Sequence, residues 1–273
     1  MGQATIQKDV APLFETPSAE AARTDEGLYG MSVQVLEESE NGWCFVRTDY
    51  GTQGYMPSPC LNLSAEVAVS WKKYPKSTVL APYIDIQNRP AGNAATLLSV
   101  PRGSLLVALK NPDLNGWQKV GLANGSIGYT RASYLGEVIE DWTQLSENDM
   151  RWNLVESALS YNGTAYREGG GSPLGIDAVG LVAMAYLLNG VVIPRDLVFK
   201  QGSPLHRIKP DEMEEGDLIY FRDSVGMFMG DGHFVHATEL AGNEGVVVSS
   251  LRPRDEDYRP DLAEHIVGVA SLF

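Results

Sequence analysis

The 273-residue sequence has few cysteines, few basic residues and no long apolar run, and each shortage excludes a class of protein. Two cysteines cannot build a disulfide-rich scaffold or a four-thiolate zinc site. No stretch approaches the ~20 apolar residues of a membrane span, which excludes an integral membrane protein. The 21 Lys and Arg against 35 Asp and Glu give a formal net charge of −14. Such a field repels phosphate backbones, so we expect no nucleic-acid partner.

The first residues carry no visible targeting signal. The segment Met1–Ile6 has neither a basic region nor an apolar core, and Ile6 stands where myristoylation requires Ser or Thr. Two interpretations stay open. The protein is cytoplasmic if Met1 is the native start, or it belongs to the cell envelope or is secreted if an export signal has been removed.

An internal repeat at a shift of 74 residues organises the first half of the chain. Asn41–Trp43 and Gly54–Tyr55 recur as Asn115–Trp117 and Gly128–Tyr129. Short alternating runs between polar turns predict strands joined by hairpins, and each unit has the size of a small β-barrel. These units resemble bacterial SH3-like domains. We interpret the basic stretch Lys72–Lys76 between them as a solvated linker.

From about residue 137 the pattern changes to mixed helix and strand. A capped amphipathic helix is predicted over about 147–160. A second helix, apolar nearly all round, is predicted over Ala178–Leu188 and should end at Asn189–Gly190. Four or five strands follow, which predicts helices packed on an antiparallel sheet. The strands are predicted over Gly216–Phe221, Val225–Gly230, His233–Thr238, Val246–Leu251 and Ile266–Leu272. We therefore predict three domains, at residues 1–66, 67–137 and 138–273.

Six segments between residues 146 and 272 form a recognisable pattern. They are Tyr161–Gly170, Gly175–Leu181, Ile193–Asp196, Glu215–Phe221, Val225–Gly230 and Phe234–Ala237. In this order they resemble the NlpC-type cell-wall peptidases, which have a papain-like fold. With two SH3-like units ahead of them, they resemble the subgroup that cleaves γ-D-glutamyl-diamino acid bonds in peptidoglycan stem peptides. The resemblance implies two all-β SH3-like barrels followed by an α+β papain-like domain, with a peptidoglycan stem peptide or another cell-wall component as partner.

The resemblance also implies a catalytic triad, and this chain lacks most of it. The family's nucleophile is the Cys of an Asp-Cys-Ser-Gly motif, whereas Asp177–Gly180 reads Asp-Ala-Val-Gly. The methyl group of Ala178 cannot attack a carbonyl, and Val179 removes a hydroxyl that the family uses near substrate. Ser224 stands in place of the histidine base, and only His236 matches the orienting residue. We therefore expect a catalytically inactive homologue.

Two other interpretations stay open. The protein is a genuine cysteine endopeptidase if Ala178 is an engineered replacement of the cysteine. It is a structural or interaction protein if its own side chains fill the groove, and Val179 would contribute to that filling. A single engineered change at Ala178 does not explain three other departures, namely Val179, Ser224 and the short segment 222–224 after Phe221, and these favour natural loss of catalysis.

Residues that could still bind a ligand follow from the same resemblance. Asp177 has two candidate roles, as the N-cap of the second helix and as the carboxylate that receives the free amine of a stem peptide. Tyr166 corresponds to a family tyrosine whose hydroxyl points into the reaction centre, and Val179 lies in the same groove. Asp25 and Glu26 are candidates for closing one end of that groove, with a solvated acidic turn as the default expectation.

We expect no cofactor and no metal. His233 and His236 are three residues apart, and in a strand this spacing puts them on opposite faces, so they cannot easily share one ion.

Overall fold

The computed structural model describes residues 2–39, 41–196 and 203–273. The chain divides into two compact units, an N-terminal unit Met1–Val138 and a C-terminal unit Ile139–Phe273. The first is nearly all β-structure and the second is α+β, which confirms the predicted fold class. The three domain boundaries stay a prediction. Within the described ranges, no helix is both long and apolar enough to cross a bilayer.

The first half of the N-terminal unit is a seven-stranded antiparallel sheet in the order β3-β2-β6-β5-β4-β1-β7. Its core is formed by the apolar side of these strands, and it includes both cysteines as buried free thiols. The strands are β1 (Gly2–Ile6), β2 (Val10–Phe14), β3 (Arg23–Leu28), β4 (Ser32–Ser39), β5 (Trp43–Thr48), β6 (Gln53–Pro57) and β7 (Leu61–Asn62).

The second half of the unit repeats this arrangement after a short helix, α1 (Ala65–Lys72). The second sheet has the order β10-β9-β13-β12-β11-β8-β14. Gly42 and Gly116, the equivalent turn residues of the two repeats, have φ of 81° and 76°, a conformation that favours glycine. The strands are β8 (Ser77–Val79), β9 (Tyr83–Gln87), β10 (Thr96–Pro101), β11 (Leu105–Ala108), β12 (Trp117–Gly121), β13 (Ile127–Arg131) and β14 (Leu135–Glu137).

Buried hydrogen bonds join the two sheets of the N-terminal unit. The Tyr29 hydroxyl accepts from the Ala123 N–H at 2.9 Å, and the Tyr29 carbonyl accepts from the Leu105 N–H at 2.8 Å. The Trp71 indole donates to the Gly30 carbonyl at 2.8 Å. Burial raises the pKa of Tyr29 to about 12.

Residues 72–75 are exposed, as the interpretation of a solvated linker predicts, whereas Lys76 is half-buried and packs against the protein. Lys72 is the last residue of α1, and the Lys76 ammonium lies 4.7 Å from the centre of the Trp71 ring. The Lys76 ammonium also donates to the carbonyl oxygens of Trp71 and Tyr74, and burial lowers its pKa. The attraction of the Trp71 ring and these carbonyls for a cation explains why this lysine packs against the protein.

The C-terminal unit places two helices on a six-stranded antiparallel sheet in the order β17-β22-β18-β19-β20-β21. A two-stranded ribbon precedes the central helix, and a single-turn helix precedes the last strand. The elements are α2 (Glu147–Leu159), β15 (Gly171–Ser172), β16 (Gly175–Ile176), α3 (Ala178–Leu188), β17 (His206–Ile208), β18 (Leu218–Phe221), β19 (Val225–Gly230), β20 (His233–Thr238), β21 (Gly245–Ser250), α4 (Pro260–Ala263) and β22 (Ile266–Ser271).

Both long helices begin and end where the sequence predicts. The Ser146 hydroxyl caps α2 by accepting from the Asp149 N–H, and α3 ends at Leu188 before Asn189. Gly190 follows with φ of 78°, which suits the turn after a helix. The helix α3 packs on α2, β19 and β20, and this packing sets the place of its N-terminus.

Candidate functional site

Asp177 caps the central helix of the C-terminal unit. Its Oδ1 atom accepts from the Gly180 N–H at 2.6 Å. Its backbone is extended, with φ −96° and ψ 177°, which lets the side chain reach back to the first turn of α3. The structure thus contains the capping role expected of Asp177. Its role toward a ligand amine stays a prediction.

The second carboxylate oxygen of Asp177 is also engaged. Oδ2 accepts from the Gly169 N–H at 2.8 Å and from Nη2 of Arg195 at 2.5 Å. Nη1 of Arg195 donates to the Gly170 carbonyl at 3.1 Å. Burial raises the pKa of Asp177, whereas the Arg195 guanidinium and the Gly180 and Gly169 N–H groups act in the opposite direction. The carboxylate and the guanidinium therefore neutralise each other within the fold.

Ala178 occupies the position at which the helix dipole would act on a nucleophile. It is the first residue of α3 and is buried. The partial positive charge at a helix N-terminus favours a thiolate, but a methyl group has no lone pair to attack with. Val179 follows, half-buried, and its side chain offers only methyl groups. Neither side chain can form a covalent intermediate.

Ser224 lies directly before β19, and its correspondence to the family's base stays a prediction. Only Arg222 and Asp223 separate it from the end of β18, and the Phe221 N–H donates to the Ser224 carbonyl at 2.9 Å. This hydrogen bond closes a tight turn. A neutral serine hydroxyl is too weak a base to take a proton from a nucleophile near neutral pH.

His236, on β20, is buried and neutral. It is 1% exposed, and its Nε2 atom lies 3.0 Å from the Ser249 hydroxyl. Burial lowers the pKa of His236 to about 4, and the positive charge of Arg259 acts in the same direction. The ring also stacks beside Phe234, with ring centres 4.8 Å apart. The retained histidine therefore forms part of the packed interior.

The pair formed by His236 and Ser249 has the composition of a nucleophile and its base, so it needs separate consideration. The distance is within hydrogen-bond reach. However, Ser249 is 4% exposed, on β21, so both partners are closed to a peptide substrate. A histidine with a pKa near 4 is also a weak base at neutral pH. The pair is therefore a buried contact between β20 and β21.

Tyr166 lies beside Asp177 in a region of negative potential. It forms an isolated bridge with Ile176, and its hydroxyl donates to Oε2 of Glu168 at 2.7 Å. Burial, the hydrogen bond to Glu168 and the negative charges of Glu168, Asp177 and Glu239 together raise the pKa of Tyr166 well above its usual value. Glu168 thus satisfies the Tyr166 hydroxyl, and the ring is half-buried. The role of this hydroxyl in a reaction centre stays a prediction.

Asp25 and Glu26 belong to the N-terminal unit, and the default expectation of a solvated turn for them is wrong. Both lie on β3, where they are 1% and 3% exposed. Glu26 accepts from Nη1 of Arg23 at 2.5 Å, and the Tyr50 hydroxyl donates to the Glu26 carbonyl at 3.0 Å. These residues are buried because β3 pairs with β2 and Arg23 supplies the opposite charge. Their role at a groove stays a prediction.

Two contacts of the candidate site residues could not be predicted from the sequence. Arg195 contacts Asp177, and Ser249 contacts His236. Arg195 lies within the quoted Ile193–Asp196 motif, but eighteen residues of chain separate it from Asp177, and no local spacing predicts their contact. Ser249 meets His236 only through the pairing of β20 with β21. Both contacts arise from tertiary structure.

Two parts of the chain match known protein families. Residues 163–257 match the NlpC/P60 family, and residues 13–60 match the bacterial dipeptidyl-peptidase Sh3 domain. A relative that spans almost the whole chain is 39% identical over 266 residues. The chain belongs to the NlpC/P60 family, which confirms the resemblance found in the motifs.

That relative is dipeptidyl-peptidase 6 of Lysinibacillus sphaericus, and the match covers 97% of each chain. A murein DD-endopeptidase/LD-carboxypeptidase of Escherichia coli, MepS, is 28% identical over 109 residues, which is 38% of this chain and 56% of that one. The crystal structure of an NlpC/P60 family protein from Bacillus cereus has a TM-score of 0.82 at 20% identity and covers 98% of both chains. This structure supports the fold over the full length.

Proposed function

We propose that this protein is a catalytically inactive homologue of the peptidoglycan γ-D-glutamyl-diamino acid endopeptidases that binds stem peptides. The observation that carries the proposal is the start of α3, where Ala178 places a methyl group at the nucleophile position. Ser224 stands where the base would be, in a turn of only two intervening residues. Without a thiolate and an imidazole, peptide cleavage has neither an attacking atom nor a proton acceptor.

The charges near Tyr166 support a ligand that carries an amine. Glu168, Asp177 and Glu239 all act on the Tyr166 hydroxyl, and the first and last of these acids are exposed. A free peptide α-amine is cationic at neutral pH and is attracted to such a region. Because Arg195 already neutralises Asp177, the remaining attraction rests on Glu168 and Glu239.

The relatives support the class of ligand. They are named as a dipeptidyl-peptidase and a murein endopeptidase, and the second name refers to cell-wall material. We expect a protein that keeps this scaffold without the nucleophile to bind a ligand of the same class. We therefore propose a stem peptide or muropeptide as ligand, with another cell-wall component as the wider class.

Calorimetry with the tripeptide L-Ala-γ-D-Glu-diaminopimelate tests the binding claim. We expect the free tripeptide to bind, and its N-acetylated form to bind about tenfold more weakly, because acetylation removes the positive charge. Glu168→Gln should weaken binding of the free tripeptide. Glu156→Gln, which removes an exposed acid on α2, serves as the matched control and should leave binding unchanged.

Absence of heat with the tripeptide would contradict the binding claim and favour the structural alternative, in which side chains fill the groove. Equal affinity for the free and acetylated peptides would contradict the role of the acidic residues.

A further inference from the structure

A histidine and two aspartates that the proposed function does not use lie together in the C-terminal unit. They are His233, at the start of β20, and Asp255 and Asp257, in the segment after β21. One ligand atom from each residue lies within 4.8 Å of the others. His233 Nε2 and Asp255 Oδ2 are 3.6 Å apart, and both side chains are partly accessible to solvent.

Backbone hydrogen bonds hold the segment that carries Asp255 and Asp257 next to His233. His233 lies directly opposite Ser250 in the antiparallel pairing of β20 and β21. The Ser250 N–H donates to the Asp257 carbonyl at 3.0 Å, and the Ser250 carbonyl accepts from the Arg259 N–H at 3.0 Å. The segment that carries both aspartates is thus tied to the strand that faces His233.

Side-chain contacts orient one of the acids. The Ser250 hydroxyl donates to Oδ2 of Asp255 at 2.6 Å, and the Arg252 backbone N–H donates to the same hydroxyl at 2.9 Å. The Arg252 guanidinium also donates to Oδ2 of Asp255, at 2.8 Å. Carboxylates that bind metals are commonly held by such outer hydrogen bonds, which fix their direction.

Negative charge exceeds positive charge among these groups. Arg252 is a cation that contacts the cluster, and its pKa is raised by the hydrogen bond to Asp255 and by the negative charges of Asp255, Asp231 and Asp257. Three acids facing one guanidinium leave negative charge that a divalent cation would offset. Asp257 is exposed, and its carboxylate is open to an ion arriving from solvent.

We propose that His233, Asp255 and Asp257 bind a divalent transition-metal ion of the Zn²⁺ type. One imidazole nitrogen and two carboxylate oxygens are a suitable donor set for Zn²⁺, with water in the remaining position. Zinc ligands lie at roughly 2.0–2.2 Å from the ion, so rotation of the exposed Asp257 side chain has to close the remaining gap. Bound metal would fasten the segment after β21 to the start of β20.

This proposal is independent of the proposed function and differs from the sequence expectation of no metal. That expectation rested on His233 and His236 alone, which lie on opposite faces of β20. The sequence does not show that Asp255 and Asp257 lie near His233, because the fold of the chain after β21 brings them there.

Zinc titration of the untagged protein, after treatment with EDTA, tests the proposal. We expect calorimetry at pH 7.5 to give one bound Zn²⁺ per chain and a higher melting temperature with zinc, since binding to the folded state stabilises it. His233→Gln and Asp257→Asn should each weaken zinc binding by about tenfold or more. Both substitutions are on accessible side chains, and circular dichroism would verify that each variant is folded.

Two control variants and a second ion make the result decisive. His206→Gln removes another exposed imidazole of this unit, and Asp223→Asn removes an exposed acid; both should bind zinc like the wild type. Mg²⁺, which prefers all-oxygen sites, should not compete. Absence of zinc binding by the wild type would overturn the proposal. Unchanged affinity in His233→Gln and Asp257→Asn, or loss of affinity in His206→Gln, would overturn it as well.

Discussion

Asp177 and Arg195 form a buried ion pair at the N-terminus of α3, with 2.5 Å between Oδ2 and Nη2. The same aspartate caps the helix whose first residue is Ala178. The charge that would receive a ligand amine is therefore already paired inside the protein. The pair supports the helix start whether or not a ligand is bound.

Removal of Arg195 should destabilise the start of α3. Arg195→Met leaves the buried Asp177 carboxylate without its counter-charge, and we expect a loss of about 3–5 kcal/mol. Native-state hydrogen exchange at the Gly180 and Leu181 amides measures the effect locally. The exposed Arg222→Met is the control and should leave this exchange unchanged. Unaltered protection in Arg195→Met would show that the pair contributes little.

Gly180 should not tolerate a side chain, although alanine is the better helix former. A Cβ atom there would lie 2.1 Å from the Gly170 carbonyl oxygen and 2.5 Å from Nη1 of Arg195. We expect Gly180→Ala to lower the free energy of unfolding by about 1–3 kcal/mol. Gly268→Ala, at a strand position with open space around it, is the matched control. Urea unfolding measures both, and equal midpoints would contradict the prediction.

The stability of the protein should fall as the pH drops from about 6.5 to about 4, partly because of His236. The pKa of His236 is lowered from 6.5 to about 4 in the folded state. As the pH falls, the unfolded chain therefore binds the proton before the folded protein does, and this favours unfolding. The stability contributed by the neutral imidazole is fully present above pH 6.5 and is lost as the pH falls towards 4. The full loss corresponds to ~3 kcal/mol. Urea unfolding at several pH values should show a flatter curve for His236→Asn than for the wild type. His265→Asn should keep the wild-type curve, and a parallel course for His236→Asn would refute the assignment.

The interface between the two sheets of the N-terminal unit should be less stable when the Tyr29 hydroxyl is removed. Tyr29→Phe leaves the buried Ala123 N–H without its acceptor, which costs about 1–3 kcal/mol. Hydrogen exchange of the Ala123 amide should accelerate in Tyr29→Phe and remain slow in Tyr134→Phe, a change at an exposed tyrosine. Equal exchange in both variants would argue that another group protects this amide.

Local signals predicted much of the fold. The capping residues Ser146 and Asp177 and the Asn189–Gly190 stop predicted both long helices, because caps and helix ends are decided by neighbouring residues. The strands β19 and β20 also follow their predicted bounds, from Val225 to Gly230 and from His233 to Thr238. Short-range periodicity is sufficient for such elements.

Contacts between distant residues could not be predicted in this way. Asp25 and Glu26 look like a polar turn in sequence, yet pairing of β3 with β2 buries them. Trp71, one of the two buried residues of α1, donates a hydrogen bond to the carbonyl of Gly30 in the first repeat. In the candidate site, too, only local features could be predicted. The departures from the family motif at Ala178 and Ser224 are visible in the sequence, whereas the ion pair of Asp177 with Arg195 is not.

The most direct test of the central claim is cleavage of L-Ala-γ-D-Glu-diaminopimelate, followed by mass spectrometry, with the wild type and Ala178→Cys side by side. The account predicts no released diaminopimelate from either, because Ser224 leaves a restored thiol without its base. The double variant Ala178→Cys/Ser224→His would indicate whether both groups suffice. Cleavage by the wild type, or full activity in Ala178→Cys alone, would contradict the account; the second result would identify an authentic peptidase that lacks only its nucleophile.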